Sequence, residues 1–466
     1  MLSIFRRQAI RWFLMLGIGE ILLLSMSLNL AMFLRYFGQP DELAMFSHHL
    51  LERSLAFGLV IQLGLMALGQ YQLHTRTSWF GLLARQMVGF LLGGLGLFVL
   101  YYMVPQAYVG RGVMGIAMLL GFVAVALFRT LYFRLRNAEL LQRRIVILGA
   151  GQRAAQIHNG MRRRSDRNGF RVVGFVPVPG ERVKLPPEPL LAPGAPLHVW
   201  AQREQIDEIV VGVDDRRGTL PMQELLKCRQ IGIAVTDLTT FFERESGRVQ
   251  LPLTDASWLV FSKGFDVTPF RRFTKRCFDL GVASLVLLLT LPLMLFVLVA
   301  IRLESGVGQP ILYRQERVGE QGRVFQLFKF RSMSTDAEMD GVARWASKND
   351  DRVTAVGRFI RKVRLDELPQ LWNVLKGEMS LIGPRPERPV FVADLVQKID
   401  YYGLRHTLKP GLAGWAQLRY PYGASEADAV EKLKYDLYYV KNHNLLFDLL
   451  ILIQTVEVVL FVRGAR

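Results

Sequence analysis

The stretch VRLDELPQLWNV, Val363 to Val374, sets two adjacent carboxylates, Asp366 and Glu367, between an arginine and an apolar helical pattern. Leu365, Leu368, Leu371, Trp372 and Leu375 recur at helical spacing. Pro369 then falls in the predicted first turn, where its missing N–H is harmless. The acids are thus predicted at a helix N-terminus, whose free amides and dipole favour anions. Neighbouring side chains on a helix diverge by about 100°, so the two carboxylates need not share one task. A nucleophile beside a metal ligand is a sensible division. An ordinary helix cap uses the same residue types, and residue types alone leave both readings open.

The elements that must position this pair belong to a basic, apolar chain. It has 466 residues, a formal charge of +18 and 51% hydrophobic residues, enough for two or three domains. Apolar runs at roughly 12–34, 54–73, 86–104 and 112–128 each have the length of a membrane-crossing helix. The first lacks a small-residue cleavage site and three more follow, which argues against a signal peptide. Arg6, Arg7 and Arg11 precede the runs, His74 and Arg76 lie in the second loop, and Arg129, Arg134, Arg136, Arg143 and Arg144 follow the fourth. The positive-inside rule then predicts both ends of this four-helix unit in the cytoplasm. Glu20 and Arg85 fall in or near the spans, where interhelix pairing or snorkelling competes with a functional role. The basic residues cluster beside apolar runs, so anionic lipid is a simpler partner than nucleic acid, for which no motif is present. The two cysteines, Cys228 and Cys277, suggest neither a disulfide framework nor a zinc site.

From Arg144 the pattern becomes that of a soluble α/β domain. RIVILGAGQRAAQI reads as strand, glycine turn and helix; DEIVVGVD and IAVTDL read as further strands. Gly149-Ala150-Gly151, with Ala154 three on, resembles the start of a dinucleotide-binding fingerprint, but the third glycine is replaced. A structural Rossmann-like module, a regulatory nucleotide site and redox chemistry are all compatible with the turn. Residues 177–196 are predicted as a surface loop. A fifth apolar run, 278–301, would be ~36 Å long as a helix. Arg271, Arg272, Lys275 and Arg276 precede it, and Arg302, Arg314, Arg317 and Arg323 follow. Basic flanks on both sides, with Pro292 in the middle, predict a helix that enters the membrane, bends and leaves on the same face. A kinked transmembrane helix is the alternative.

Beyond it, YRQERVGEQGRVFQLFKFRSM (313–333), VGRFIRKVRLDELPQLWNVLKGEMSLIGPRPE (356–387), LKPGLAGWAQLRY (408–420) and EKLKYDLYYVKNHNLLFDLLIL (431–452) follow in order. Together they closely resemble the monotopic phosphoglycosyl transferases, over roughly 271–466, and the whole chain resembles the large exopolysaccharide-type branch of that family. The implied fold is a four-helix transmembrane domain (1–143), a Rossmann-like α/β domain (144–245), a linker (246–270) and a mainly helical catalytic domain (271–466) with the re-entrant helix. The implied activity moves a hexose-1-phosphate, glucose or galactose, from a UDP-sugar to polyprenyl (undecaprenyl) phosphate, starting a bacterial surface polysaccharide. Asp366 matches the family's nucleophile, which forms a phosphosugar–aspartyl intermediate and releases UMP. Glu367 matches the acid expected to hold Mg²⁺. Arg385 in GPRP matches the phosphate-binding arginine, Arg361 and Lys329 match further basic site positions, and Arg314 and Arg317 are weaker candidates. The resemblance further implies a homodimer in the bacterial inner membrane, with catalysis on the cytoplasmic face. The family often has Ser before the bending proline; here it is Leu291, with Thr290 earlier, expected to satisfy groups freed at the bend. A membrane-bound regulator with a degenerate catalytic domain is the rival class, opposed by the intact Asp366, Glu367 and Arg385. A nucleotide-sugar dehydratase or epimerase would need a Tyr-x-x-x-Lys pair that the middle part lacks.

Overall fold

The computed structural model describes residues 2–41, 49–67, 79–136, 142–161, 169–184, 189–215, 220–251, 268–306, 308–334, 352–420, 423 and 425–460. They form two compact units, Met1–Leu238 and Thr239–Arg466. The first opens with helices α1 (Leu2–Arg35), α2 (Leu50–Ala67), α3 (Trp79–Met103) and α4 (Arg111–Arg136). Met15–Arg35, Arg85–Met103 and Arg111–Tyr132 are long and apolar enough to cross a bilayer. Residues 68–73 of the second predicted run, and His74 and Arg76, lie outside the described residues.

Leu24, Leu28, Phe57, Ile61, Leu65, Leu97 and Val125 form the core between these helices. Small residues let α2 and α3 approach closely: a Cβ on Gly93 would lie 2.8 Å from Ile61 Cα, and one on Gly64 2.4 Å from Gly89 O. Glu20 is paired as the sequence suggests, and its partner is Arg129, which grips both carboxylate oxygens with Nη2 to Oε2 at 2.9 Å. Arg129 therefore belongs inside α4, where the sequence reading counts it among the charges after the fourth run. Two ends of one buried ion pair satisfy each other, which an apolar setting requires.

The rest of this unit is a parallel sheet of β1 (Arg143–Leu148), β2 (Phe170–Val176), β3 (Glu208–Val211) and β4 (Ala234–Asp237), in the order β2-β1-β3-β4. Strand β3, sequence EIVV, is buried throughout, as expected for a parallel strand covered on both faces. Helices α5 (Gln152–Gly160), α6 (Leu197–Arg203) and α7 (Met222–Gln230) lie between the strands in sequence. Gly149 turns out of β1 at φ +115°, where a Cβ would come within 2.9 Å of the Gly212 backbone.

The amides after this turn are the ones a nucleotide phosphate would use. Here two of the chain's own carboxylates accept from them. Ala150 N donates to Glu181 Oε2 at 2.7 Å, and Gln152 N and Arg153 N donate to Asp214 at 2.8 and 2.7 Å. Asp214 N in turn donates to Glu181 Oε1 at 3.0 Å. Gly151 is needed for this approach, since a Cβ there would fall 2.2 Å from Asp214 Oδ2. The glycine turn thus cradles two of the chain's own carboxylates. NAD⁺ at about 1 mM, roughly the top of the usual metabolite range, should leave the thermal unfolding of the protein unchanged. A saturable shift would show that the carboxylates are displaced.

The second unit starts with α8 (Leu238–Ser246), whose Glu243 pairs with Lys441 at 2.6 Å and accepts from Asn442 at 2.9 Å. The sequence reading puts this helix in the middle domain. Residues 252–267 of the expected linker lie outside the described residues. Helix α9 (Pro269–Ser305) is capped by the Thr268 hydroxyl on Arg271 N and continues as a helix through Pro292. It is the most apolar of the helices long enough to cross a membrane. There follow β5 (Leu312–Val318) and β6 (Val324–Phe330), an antiparallel pair; α10 (Ala355–Lys362); α11 (Gln370–Lys376); β7 (Ser380–Ile382); α12 (Pro389–Lys398); β8 (Gly411–Ala413), parallel to β7; α13 (Trp415–Arg419); α14 (Glu426–Asn442); and α15 (Leu445–Leu460).

Both halves of α9 pack on this one unit. Before Pro292, Arg276 donates to the carbonyls of Val374 and Leu375 at the end of α11, each at 2.6 Å. Asp279 accepts from Leu381 N at 3.3 Å, and Ala283 joins Leu371 and Val374 in the core. After Pro292, Val297 and Ile301 pack with Phe330 and Ile360, and Glu304 accepts from Val356 N at 3.0 Å. Thr290 differs from the expectation. Its hydroxyl donates to Val286 O at 2.7 Å, not to Leu288 O, the carbonyl that proline at 292 leaves without its usual donor. A helical threonine reaches its own i−4 carbonyl most easily, and this bond itself favours bending.

Candidate active site

Strand β6 alternates, and Phe325 and Leu327 turn into the core that holds Leu371 and Val374 of α11. Lys329 continues that face. Asn373, fully buried, fastens α11 to the strand: it accepts from Phe328 N at 3.1 Å and donates to Gln326 O at 2.7 Å. Between α10 and α11 the backbone reverses at Arg364, which takes a left-handed conformation with φ +61°. A 3₁₀ turn, Leu365–Glu367, follows, and Pro369 stands at the N-cap of α11. The acids therefore occupy a separate tight turn just ahead of the α-helix, and Pro369, expected in the helix's first turn, is its N-cap. The left-handed kink at Arg364 supplies the difference, because it starts an i→i+3 turn closed by Leu368 N on Leu365 O at 3.2 Å.

Both acids are buried, at 7% exposure for Asp366 and 8% for Glu367. Three cations converge on one oxygen of Glu367: Arg385 Nη2 at 2.7 Å, Arg364 Nη1 at 3.5 Å and Lys329 Nζ at 3.6 Å from Oε1. Burial works to raise the Glu367 pKa, but Arg385, Lys329 and Arg364 together outweigh it and hold this carboxyl well below the usual range. Asp366 goes the other way. Burial, reinforced by the negative charge of Glu367, pushes it up to about 6 despite the same cations. Desolvation also lowers the Lys329 pKa, against the pull of Glu367. Two neighbouring acids are thus pushed apart, one held as an anion and the other raised to about 6, the kind of divergence that suits two carboxylates to different tasks.

Arg385 reaches Glu367 from the Gly383–Glu387 loop, and this loop is fixed by its backbone. Three successive carbonyls each accept a hydrogen bond, two of them from β5. Arg405 Nη2 donates to Arg385 O at 3.0 Å, Arg317 Nη1 to Pro386 O at 3.0 Å, and Val318 N to Glu387 O at 2.9 Å. Arg405 is held by Asp436 at 2.8 and 3.1 Å and by the Tyr402 hydroxyl at 2.8 Å. Of the basic residues expected at the site, Lys329 and Arg385 meet the carboxylates. Arg317 turns to Pro386 and to Glu387 at 3.6 Å. Arg314 is exposed and lies over the Phe328 ring at 5.5 Å. Arg361, half-buried on α10, makes no ion pair with either acid among the described residues. The sequence does not single out Arg364 or Arg405. Arg364 lies two residues before the acid pair, its only signal; Arg405 has none, since its partner is 31 residues away.

An apolar helix packed against a domain with a buried, cation-held acid pair defines a membrane-associated protein with a site suited to anionic substrates. Residues 270–462 match the family described as bacterial sugar transferase. The undecaprenyl-phosphate galactose phosphotransferase of Salmonella typhimurium is 31% identical over 377 residues, 74% of each chain. The undecaprenyl-phosphate glucose phosphotransferase of Komagataeibacter xylinus is 32% identical over 331 residues, 70% of this chain and 60% of that one. A UDP-N-acetylgalactosamine-undecaprenyl-phosphate N-acetylgalactosaminephosphotransferase of Aeromonas hydrophila is 41% identical over 242 residues, 52% of this chain. The match spans only 56% of that Aeromonas protein. The chain belongs to the bacterial sugar transferase family.

Replacing Arg405 with Met strands Asp436 as a buried, unpaired charge, and should lower stability by about 3–5 kcal/mol. Arg405→Met/Asp436→Leu should recover much of the loss in chemical denaturation. Equal losses in the single and double variants would show that the pair is not the source.

Proposed function

We propose that the second unit transfers a hexose-1-phosphate, glucose or galactose, from a UDP-sugar to polyprenyl phosphate by way of a covalent aspartyl intermediate. The observation that carries this reading is the split acid pair: Asp366 buried and titrating near neutrality, Glu367 ionised under Arg385, Arg364 and Lys329. Asp366, as its carboxylate, attacks the β-phosphorus of the UDP-sugar. The bond from that phosphorus to the oxygen bridging to the α-phosphate breaks, and UMP leaves with it. A phosphate oxygen of the polyprenyl carrier then attacks the same phosphorus and frees the Asp366 carboxylate. Two easier displacements replace one difficult transfer. Lys329 and Arg385 draw the diphosphate against the repulsion of the acids, and Arg364 joins them. The relatives differ in the sugar that they name, so a UDP-sugar panel that includes N-acetylated hexoses decides the donor.

Mg²⁺ fits this site. No cluster of three or more His, Cys, Asp or Glu occurs among the described residues, and Mg²⁺ commonly takes one or two carboxylates with water and substrate phosphates. The cation contacts of Glu367 fall on Oε1, so its second oxygen, with Asp366 beside it, would be the protein's share of the shell. When bound, the ion supplies charge neutralisation on the phosphoryl oxygens.

Asp366→Asn should lower UMP release at least ~10³-fold. The attacking form is the carboxylate, so wild-type kcat/KM for UMP release should fall about tenfold per pH unit below about 6. Glu367→Gln removes the negative neighbour and leaves the cations, so this acid limb should move to lower pH. Substantial turnover by Asp366→Asn would sink the covalent route.

The same reading places α9 as a re-entrant helix in the bacterial inner membrane, with the unit on the cytoplasmic face where UDP-sugars are found. Its support is that Arg276 and Asp279 before Pro292, and Ile301 and Glu304 after it, all contact the same unit. Both flanks are also basic. Single cysteines at Thr274 and Ser305, in a chain lacking Cys228 and Cys277, should both resist an impermeant thiol reagent in intact cells. Both should react in inverted vesicles. Labelling of Ser305Cys alone from outside would make α9 a crossing helix.

A further inference from the structure

Among the buried cations of the second unit, Arg405, Lys434 and Lys441 each have a carboxylate partner, Asp436, Glu431 and Glu243. Arg331 is as buried as these, with 8% exposure. Among the described residues its guanidinium has no hydrogen-bonding or ion-pair partner. Arginine keeps its proton at any ordinary pH, and no Arg331 nitrogen is among the buried polar atoms left without a partner. The stem is buried while the charged end keeps access to solvent, and so to an anion arriving from it.

The strand shows on which face that end lies. Arg331 N donates to Ile311 O at 2.8 Å, which extends the β5–β6 ladder one residue beyond Phe330. Side chains two apart on a strand share a face. Arg331 therefore follows Lys329, whose Nζ stands 3.6 Å from Glu367 Oε1, while Phe330 between them packs the opposite way on Val297, Ile301 and Ile360. Behind Arg331 the chain is held in place by α10: a Cβ on Gly357 would fall 2.0 Å from Ser332 O. A fixed backbone thus carries Lys329, already engaged by Glu367, and beside it a cation with its charge unspent.

The geometry points to Arg331 as a substrate-phosphate-binding residue of the active site, supplying a guanidinium fork to a phosphate group that arrives with a substrate. A planar fork matches two phosphate oxygens at once. The phosphate belongs either to the UDP-sugar or to the polyprenyl carrier, and the two half-reactions separate these sources. The inference rests on the sugar-phosphate transfer proposed above.

The test measures both half-reactions with full-length Arg331→Gln and Arg331→Lys: UMP release from UDP-sugar alone, and transfer to polyprenyl phosphate. Arg331→Gln should raise the KM for one substrate at least ~10-fold, the usual scale for losing a charge-assisted contact. A raised KM for UDP-sugar in UMP release assigns the phosphate to the donor. An unchanged UMP burst with a raised KM for the carrier assigns it to the lipid. Arg331→Lys should restore part of the loss, since it returns the charge without the fork. Both KM values within twofold of wild type would overturn the inference, as would a kcat loss that Arg331→Lys does not relieve at unchanged KM. If Arg331→Gln fails to fold, the KM values of Arg331→Lys decide, with the same twofold criterion. A wild-type protein that releases no UMP from any UDP-sugar would instead defeat the transfer reading itself.

Discussion

The second unit is organised around a single oxygen. Glu367 Oε1 is the meeting point of Arg385, Arg364 and Lys329, and each cation is delivered by a different piece of chain: the loop after β7, the left-handed residue after α10, and strand β6. At an effective dielectric near 20, each contact is worth about 4 kcal/mol before desolvation is subtracted. Without the carboxylate, three positive charges would face one another in a poorly solvated space. With it, they form a compact, net-positive cluster beside Asp366. The surrounding architecture serves this convergence. Asn373 ties α11 to β6, Arg276 closes the end of α11, and Arg405 and Arg317 hold the loop that brings Arg385.

What the sequence shows of this site is the part encoded by adjacency. Asp366, Glu367, Arg385 and Lys329 sit in recognisable local patterns, and the helical spacing of Leu368, Leu371 and Leu375 correctly announces α11. The parts it hides depend on backbone conformation or on distant partners. The left-handed turn at Arg364 moves the acids into a 3₁₀ turn, and nothing in a non-glycine residue advertises a positive φ. Arg405 becomes a support for Arg385 only through Asp436, on another helix. In the first unit, the paired state of Glu20 is legible as a physical need, but that Arg129 takes part in it is a matter of which helix faces meet.

The glycine turn after β1 shows the same limit from the other side. Gly149 and Gly151 are where a phosphate-cradling turn would have them, and the strand and helix around them form as expected. The occupants differ. Glu181 and Asp214, far along the chain, cover the free amides, so the helix N-terminus finds its anions within the protein. A motif specifies a backbone shape, and the shape is indifferent to whether its anion is a nucleotide or a carboxylate. A motif of this kind does not by itself name its ligand, whereas in the second unit the acids and their cations are arranged with charge to spare.

That surplus is what two successive phosphate substrates require. In the transfer proposed here, a nucleotide diphosphate and then a lipid phosphate approach the same phosphorus, each bringing negative charge toward a carboxylate. Attack by Asp366 neutralises part of its own charge by forming the acyl phosphate, and release of the intermediate restores it. The site's anion count therefore rises and falls through the cycle while its cations stay fixed. Glu367 cannot act as the varying member, because its neighbours hold it ionised; Asp366, pushed up to about 6, can. In that proposal one acid sets the positions of the cations and the other exchanges bonds within them. Adjacent residues with diverging side chains in one tight turn are a short way to build both functions at a shared phosphate site.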